Sequence, residues 1–580
     1  MLTTRPLRNV AGLILACSSL NATAAPGDID TAFATDGKFH IPFGTQGGAA
    51  AEGVIVRADG KIYLGGHAWN DTTGYDDFAL VRLNEDGTLD TTFDTDGKAL
   101  FPIGSYNDSV FATAHLPSDD SFVLAGSSGS SNFQTSQFAV AVFNSDGTLD
   151  TGFNTTGKAT VSIVDNSRND ANAVTILSDG KVLVAGGAYF GSSARIGLAR
   201  FNANGTLDTT FDTDGKLVID PGAFSQATGV QVQESDGKIV ICGTLYNGNN
   251  DDFLVARYTE SGAPDTTFGG DGIVTTNVNG WDRGNALVIQ SDGKIVVGGT
   301  SSNGTDDDYI LVRYNTDGTL DTTFGGDGIV TTDFGSDDGI AALRIDDQGR
   351  IVASGSANNS TDADFGAARY LEDGTLDTTF GTAGKIKIPF GTSNDTIQGM
   401  AIQDDGKLLL AGEIQASPVG EFALMRIIGE PEVIAEPTRK ADVILGSGTP
   451  LATGNNVYNL TGKKQTESVR ITSGKTRTVS VGIQNDGSAA DSFKLKGTGG
   501  NKDFSIKYLL GDKDVTDAVT AGKFKTGDLD PGEVLKLKAK IKAKTTKAGK
   551  EKAFGILATS LAKTTIQDKA VIEATSKAAK

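Results

Sequence analysis

The sequence predicts an all-β protein: a seven-bladed β-propeller of four-stranded blades followed by an Ig-like β-sandwich. Three observations predict it. A phrase close to DGTLDTTF recurs with its phenylalanine at Phe33, Phe93, Phe153, Phe211, Phe268, Phe324 and Phe380, at spacings of 60, 60, 58, 57, 56 and 56 residues. Between these stand two further recurring phrases, one like QSDGKIVVGGT and one like YILVRY. The repeat stops near residue 428, and beyond Pro431, Pro437 and Pro450 a different alternating pattern begins.

The sixth unit shows how each element is justified. Strand one is GIVTTDF (328–334), strand two GIAALRI (339–345), strand three RIVASG (350–355) and strand four FGAARY (365–370). The runs have ordinary strand length and are parted by Asp-Gly or Asn-Gly turns. None has a helical apolar period. The 75 glycines against 13 prolines suit many tight turns. Four-stranded units repeated radially make propeller blades. A β-solenoid, the alternative, needs atypical polar end units. The first and last units here look like the middle ones, which favours a closed ring with terminal strands completing one blade.

The D-G-T-L-D-x-x-F-G-x-x-G-K phrase, over roughly residues 27 to 428, resembles the delta-60 repeat family of bacterial secreted proteins. That resemblance implies a β-propeller and export, and it assigns no reaction. The fifth unit departs from the phrase with SGAPDTTFGGDGI, placing Pro264 where Leu usually stands.

DGTLDTTF reads as the link from strand four of one blade to strand one of the next. Asp317-Gly318 suits a turn with Gly at positive φ. Asp321 can cap DTTF by accepting backbone N–H bonds, leaving Leu320 and Phe324 to pack between blades. Six units end strand four with Arg (Arg82, Arg200, Arg257, Arg313, Arg369, Arg426) and one has Val142. Such an Arg can reach a link carboxylate such as Asp90 or Asp321. The functional alternative is Ca²⁺ bound at Asp94-Thr95-Asp96-Gly97 and Asp212-Thr213-Asp214-Gly215. Two units carry Gly269 and Gly325 in place of the first Asp, and no full EF-hand or RTX-type spacing occurs.

Alternate connections of an up-and-down blade fall on opposite faces. The DGK hairpins and the DGTLDTTF links share a nearly uniform face. The other loops vary from unit to unit and hold both tryptophans, Trp69 and Trp281, with Tyr75, Tyr106, Tyr189 and Tyr246 beside many Asp and Asn. Flat rings beside carboxylates and amides suit sugar binding. The ligand-binding candidates are Trp69, Asp76, Tyr246, Trp281 and Asp282. No HExxH, P-loop, GxSxG elbow or Cys–His pair is present, and the chain has three histidines. No catalytic residue is assigned. Paired carboxylates of a glycoside-cleaving enzyme remain open because distance is invisible in sequence.

Residues 429–441 read as a linker and 442–580 as the Ig-like module. TRTVSVGIQNDG (476–487), DSFKLKG (491–497), DFSIKYL (503–509) and PGEVLKLKAKIKAK (531–544) alternate apolar and polar residues, as antiparallel strands do when one face is solvated. The module resembles the Ig-like modules appended to many bacterial secreted proteins. In LKLKAKIKAK, Lys536, Lys538, Lys540, Lys542 and Lys544 fall on one face, suiting either a solvated face protecting a sheet edge or contact with a polyanion. Residues 439–580 carry 26 Lys+Arg against 14 Asp+Glu, a net +12, and the rest of the chain nets −33. An acidic ring excludes nucleic acid as a partner.

The start, MLTTRPLRNVAGLILACSSLNATAA (1–25), has the charged, apolar and small-residue parts of a secretory signal. A lipoprotein signal ending at Cys17 is the alternative. No later apolar run is long enough to span a membrane. Cys242, in KIVICG, reads as a buried core residue. The reading is an exported, non-enzymatic binding protein for an extracellular glycan or envelope surface component. Its alternatives are a purely structural envelope protein and a carbohydrate-active enzyme.

Overall fold

The computed structural model describes residues 24–579 except 117–120, 132–133, 192, 223, 360, 392, 417–418, 431–440, 447–465, 487–489 and 562–566. The expected secretory segment up to residue 23, Cys17, most of the linker and Gly487 of the Asn-Asp-Gly turn lie outside the described residues. The chain forms two compact units, Met1–Glu432 and Val433–Lys580. No helix among the described residues is long and apolar enough to cross a membrane.

Among the described residues the first unit holds seven four-stranded antiparallel sheets. They span 49–101, 108–161, 169–219, 225–276, 282–332, 338–388 and 395–427, the seventh completed by Lys38–Ile41. The fifth is representative, with Asp282–Ile289, Ile295–Ser302, Asp307–Tyr314 and Ile329–Thr332 in spatial order. Each sheet packs on the next. Phe324, Tyr309 and Leu311 of the fifth share a buried cluster with Ile351, Ala353 and Tyr370 of the sixth. Leu409 and Phe422 of the seventh likewise pack on Leu64 and Val81 of the first.

The phase of the repeat differs from the expectation. Ile329–Thr332 pairs with Asp307–Tyr314, so strand one of each sequence unit is the outer strand of the preceding sheet. DGTLDTTF therefore joins the third and outer strands within one sheet, and a short loop such as 333–337 crosses to the next. The reason is geometric: the bridge Tyr314↔Leu320 turns the link back onto its own third strand. Tyr258↔Pro264 does the same in the fourth sheet, where the Leu is replaced. Pro264 thus keeps the pairing that Leu makes in other links.

A second feature recurs in all seven sheets. The first strand carries a bulge at Glu52, Phe111, Asn172, Thr228, Asn285, Ala341 or Gln398. Opposite it stands Gly66, Gly126, Gly186, Gly243, Gly299, Gly355 or Gly412. A Cβ at any of these would lie 1.8–2.0 Å from a facing carbonyl oxygen. The glycine of the KIVVGG-type phrase is thus required by close backbone approach. Three bulge side chains reach to the next sheet: Asn172 Nδ2 donates to Ala227 O (2.9 Å), Thr228 Oγ1 to Gly284 O (2.6 Å) and Asn285 Nδ2 to Ile340 O (2.8 Å).

The expected Arg–Asp contacts form in all six units with Arg. Nε of Arg82, Arg200, Arg257, Arg313, Arg369 and Arg426 lies 2.7–2.9 Å from Asp90, Asp208, Asp265, Asp321, Asp377 and Asp30. Asp321 also caps its turn, accepting from Thr323 N (3.1 Å) and Oγ1 (2.7 Å). The Arg313 guanidinium stacks 4.5 Å above the Phe324 ring and donates to the Glu372 carbonyl of the next link. Gly374 sits so close to that ring that a Cβ would meet it at 2.9 Å. DGTLDTTF is therefore one interlocking part: its Gly rests on the preceding unit's Phe, and its Asp receives its own strand's Arg.

Among the described residues the second unit holds two five-stranded sheets. One runs Ala441–Gly446, Thr476–Asn485, Val534–Ala543, Phe504–Leu510, Lys513–Asp514, and the other Thr466–Thr472, Gln567–Lys577, Glu551–Ser560, Phe493–Gly497, Phe524–Lys525. Residues of both, including Val481, Ile541, Phe493 and Ile572, share one core. Pairing is antiparallel except between Thr466–Thr472 and Gln567–Lys577, which run parallel. Lys536, Lys538, Lys540 and Lys542 are exposed and Leu537, Ala539, Ile541 and Ala543 buried, as the alternation predicts. Their strand is the middle one of its sheet, paired on both sides, so these lysines protect no edge.

Asp321→Ala removes the turn cap and strands Arg313, a buried cation. We expect a loss on the order of 3 kcal/mol, more than a cap alone supplies, read from thermal unfolding. Burial alone would push the Asp321 carboxyl up. The Thr323 hydroxyl and N–H, Lys294 and Arg313 outweigh it and hold the group at about 2. A carboxyl depressed by folding stabilises above its unfolded pKa, so this contribution is lost as pH falls from about 4 towards 2. The variant should show a flatter acid limb in that window.

Candidate functional site

The loops between second and third strands share a face with the loops that cross between sheets. Those connections are less free than their sequences suggest. Asn70, Asn247, Asn303 and Asn359 each donate from Nδ2 to Oδ2 of Asp77, Asp252, Asp308 and Asp364 at 2.7–2.9 Å. The Asp that opens the first strand organises the crossing loop. Asp282 accepts from Val278 N (2.7 Å), Asp338 from Phe334 N (2.7 Å) and Asp395 from Gly391 N (2.9 Å).

Tyr246 and Trp281 meet across the fourth and fifth sheets. Their ring centroids are 6.2 Å apart and their planes 20° from parallel, a stacked pair. Trp281 is 48% exposed. Tyr246 is half-buried, its hydroxyl donating to Gly248 O (3.0 Å). Around them stand exposed Asn247, Asn249, Asn279 and Arg283, and Arg283 pairs with Asp251 at 3.1 Å. The result is a stacked aromatic pair with the indole half in water and with amide, carboxylate and guanidinium groups on the flanking residues. Asp282, expected to face a ligand, is fully buried. Burial pushes its carboxyl up, and the Ser301 hydroxyl and loop N–H groups pull against that. It holds the loop that carries Trp281. The same register carries Asp108, Asp338 and Asp395, a regularity that marks a structural residue.

Trp69 and Asp76 stand elsewhere, in the first sheet, which packs on the second and seventh sheets. The Trp69 indole is half-buried over Gly47, where a Cβ would meet its Cγ at 2.4 Å. Asp76 stands opposite Trp69 in the register of its hairpin, and its main-chain N–H donates to Asn107 Oδ1 (3.2 Å). Burial raises its carboxyl and His67 opposes the rise. The structure therefore brings Tyr246, Trp281 and Asp282 together and leaves Trp69 and Asp76 as a separate, more enclosed pair.

Sequence reasoning missed an acidic cluster next to Asp76. Glu52, in the first-sheet bulge, has its Oε1 3.7 Å from His67 Nδ1. Burial, and then the neighbouring Glu413, push the Glu52 carboxyl up to about 8. Burial lowers His67. The signal in the sequence was the bulge register, where six units place an uncharged residue. In the turns read as structural links, with Ca²⁺ as the alternative, Asp96 and Asp214 accept from the N–H of Lys98 and Lys216 at 3.0 and 2.9 Å. Cys242 is fully buried, and burial pushes its thiol up to about 12. Two open concavities, of about 720 and 950 Å³, lie on the face of the uniform turns. Repeated turn residues such as Asp59, Asp236 and Asp292 line them.

Six segments of the chain, 57–93, 118–153, 177–211, 234–268, 290–324 and 349–380, match the family model described as "Domain of unknown function (DUF5122) beta-propeller". No curated protein matches. Two solved structures are similar at 9% identity and a TM-score of 0.15. Escherichia coli alpha-2-macroglobulin activated by porcine elastase covers 94% of this chain and 45% of its own. The native conformation of E. coli alpha-2-macroglobulin covers 93% and 39%. The chain spans less than half the length of either, and at that TM-score neither carries an argument about fold.

Glu52 stays protonated in the fold well above the pH at which the unfolded chain ionises it. Its raised pKa therefore costs stability as pH climbs from about 4.5 to 8. Glu52→Gln should lose less unfolding temperature over that window than the parent does, as measured by thermal melts at pH 5 and pH 8.

Proposed function

We propose that the chain is an exported, non-enzymatic binding protein. In this reading the first unit is a seven-bladed propeller whose variable-loop face holds an extracellular glycan, and the second is an Ig-like sandwich. Seven mutually packed sheets, the last completed by the N-terminal strand, support the propeller. The six matched segments support it too. Two core-sharing sheets support the sandwich, with the parallel pair as a departure from the usual pattern. Export rests on the character of residues 1–25 and on the delta-60 resemblance, with lipid attachment at Cys17 as the alternative form.

The observation that carries the binding reading is the Tyr246–Trp281 pair. An indole left half in water gains by covering the apolar face of a pyranose, while Asn247, Asn279, Asp251 and Arg283 offer donors and acceptors to its hydroxyls. This reading needs no organic cofactor. A purely structural envelope protein would leave these rings without a ligand. A carbohydrate-active enzyme is favoured by one observation, the Glu52 carboxyl that burial and the neighbouring Glu413 push up to about 8, two carboxyls near one another with one of them raised. Hydrolysis of an array ligand, abolished by Glu52→Gln, would establish the enzyme and overturn the binding-only reading.

A glycan-array screen of the full chain finds the ligand class. Against a hit, Trp281→Ala should weaken binding about fivefold, one ring contact of roughly 1 kcal/mol, with the unfolding temperature nearly unchanged. Asp321→Ala should do the reverse. Calorimetry and thermal melts of both variants decide it, and a Trp281 variant that binds like the parent sinks the platform.

The lysine face gives a second expectation. We propose that Lys536, Lys538, Lys540 and Lys542, joined by exposed Lys507 on the neighbouring strand, contact a polyanion such as an anionic envelope glycan. Retention on heparin should fall steeply with salt, and Lys538→Glu with Lys540→Glu should elute at clearly lower salt.

A further inference from the structure

Two of the differences between the fourth and fifth crossings of the first unit point to a cation. At the crossing from the fourth to the fifth sheet stand Asp252, Asn277 and Asp282. Both carboxylates are satisfied. Asp252 Oδ2 accepts from Asn247 (2.9 Å) and Oδ1 from Asn277 Nδ2 (2.8 Å). Asp282 Oδ1 accepts from the Ser301 hydroxyl (2.5 Å) and Oδ2 from Val278 N (2.7 Å).

At the next crossing the same register places Asp308, Asp333 and Asp338. Asp308 Oδ2 keeps its asparagine, Asn303, at 2.9 Å. Asp338 keeps Phe334 N at 2.7 Å and gains Asn358 N at 3.0 Å. But Asn277 has become Asp333, and Ser301 has become Ala357. One donor is replaced by a third carboxylate and the other is deleted. Asp308 Oδ1 is left buried with no hydrogen-bond partner, in a side chain only 5% exposed. By the register of the neighbouring crossing, that atom faces Asp333. One carboxylate oxygen from each of the three residues lies within 4.8 Å of the others. The nearest lysines do not fill the gap: Lys385 Nζ donates to Asp333 O (2.7 Å), and Lys387 Nζ to Phe334 O (3.2 Å) and Asn358 O (3.0 Å). Asp306 and Asp307 add to the negative field at Asp308.

An unpartnered buried carboxylate oxygen is costly, and three converging carboxylates repel. Both costs disappear if a hard cation sits among them. Oxygens bound at 2.3–2.6 Å to Ca²⁺ lie up to about 5 Å apart, which accommodates this spread, whereas Mg²⁺ at 2.0–2.1 Å requires a tighter set. We propose that Asp308, Asp333 and Asp338 form a Ca²⁺ site that ties the fifth sheet to the sixth on the variable-loop face. It is separate from the Tyr246–Trp281 platform and does not depend on any glycan.

The full chain, stripped with EDTA and dialysed, is titrated with CaCl₂ by calorimetry and followed by thermal melts. The expected result is Ca²⁺ uptake in the range of extracellular modules, about 0.1–1 mM or tighter, with a Ca²⁺-dependent rise in unfolding temperature. Asp333→Asn restores the neighbouring crossing's amide. It should weaken Ca²⁺ at least tenfold, lose the Ca²⁺-dependent rise, and melt no lower than the metal-free parent. Asp308→Asn should also lose binding. A parent indifferent to Ca²⁺ up to about 10 mM overturns the site, as does an Asp333→Asn chain that binds like the parent. Loss of Ca²⁺ uptake in Asp96→Asn but not in Asp333→Asn would place the ion in the turns and overturn it equally.

Discussion

The ion pair between an arginine ending the third strand and the aspartate of its link, present in six of the seven sheets, fixes the position of strand, turn and neighbour in the first unit. A guanidinium buried at that point must find several acceptors, because an unpaired cation in such a place is untenable. It finds them in three directions: the link aspartate, the face of the link phenylalanine and a carbonyl of the next sheet's link. The strand end, the turn and the neighbouring sheet are thereby fixed by one side chain. Where the second sheet has Val142, apolar contact with Val123 and Phe153 takes over, and the sheet still forms. The pair is therefore an economical means of registering sheets, and hydrophobic contact between sheets supplies the bulk of cohesion.

Much of this was legible because the chain supplies its own comparison. Seven versions of one phrase separate what the fold requires from what it tolerates, so the roles of Asp321, Phe324 and Arg313 could be read before any coordinate. The phase of the repeat could not. Sequence periodicity fixes the length of a unit and is silent on where the sheet boundary cuts it, and only the pairing of Thr332 with Tyr309 places strand one in the preceding sheet. The Lys536–Lys542 strand shows the same limit: alternation gives its two faces, while its place in the middle of the sheet depends on partners far along the chain.

The candidate site was legible in kind and less so in detail. Aromatic residues in non-uniform loops marked Tyr246 and Trp281. Asp282 sits beside Trp281 in the sequence yet turns into the protein, a difference that loop composition does not encode. Its recurrence at Asp108, Asp338 and Asp395 did encode it. The Asp308–Asp333–Asp338 cluster was hidden for the opposite reason. Its members are ordinary in a chain rich in aspartate, and only the neighbouring crossing, with Asn277 and Ser301 in place, shows what they lack.

Lys38–Ile41 closing the seventh sheet against Val419–Ile427 has a consequence for how the molecule is made. Six sheets are assembled from segments within about one repeat of each other, so they can form as the chain emerges. The seventh needs partners nearly four hundred positions apart, Lys38 opposite Met425, and cannot be completed until synthesis of the whole unit is over. Until then one edge of the growing array stays unpaired, with the apolar flank that Phe422 and Leu424 will cover open to water. The vulnerable moment in the life of this protein is therefore late in synthesis, and any factor guarding it must act on an almost finished ring.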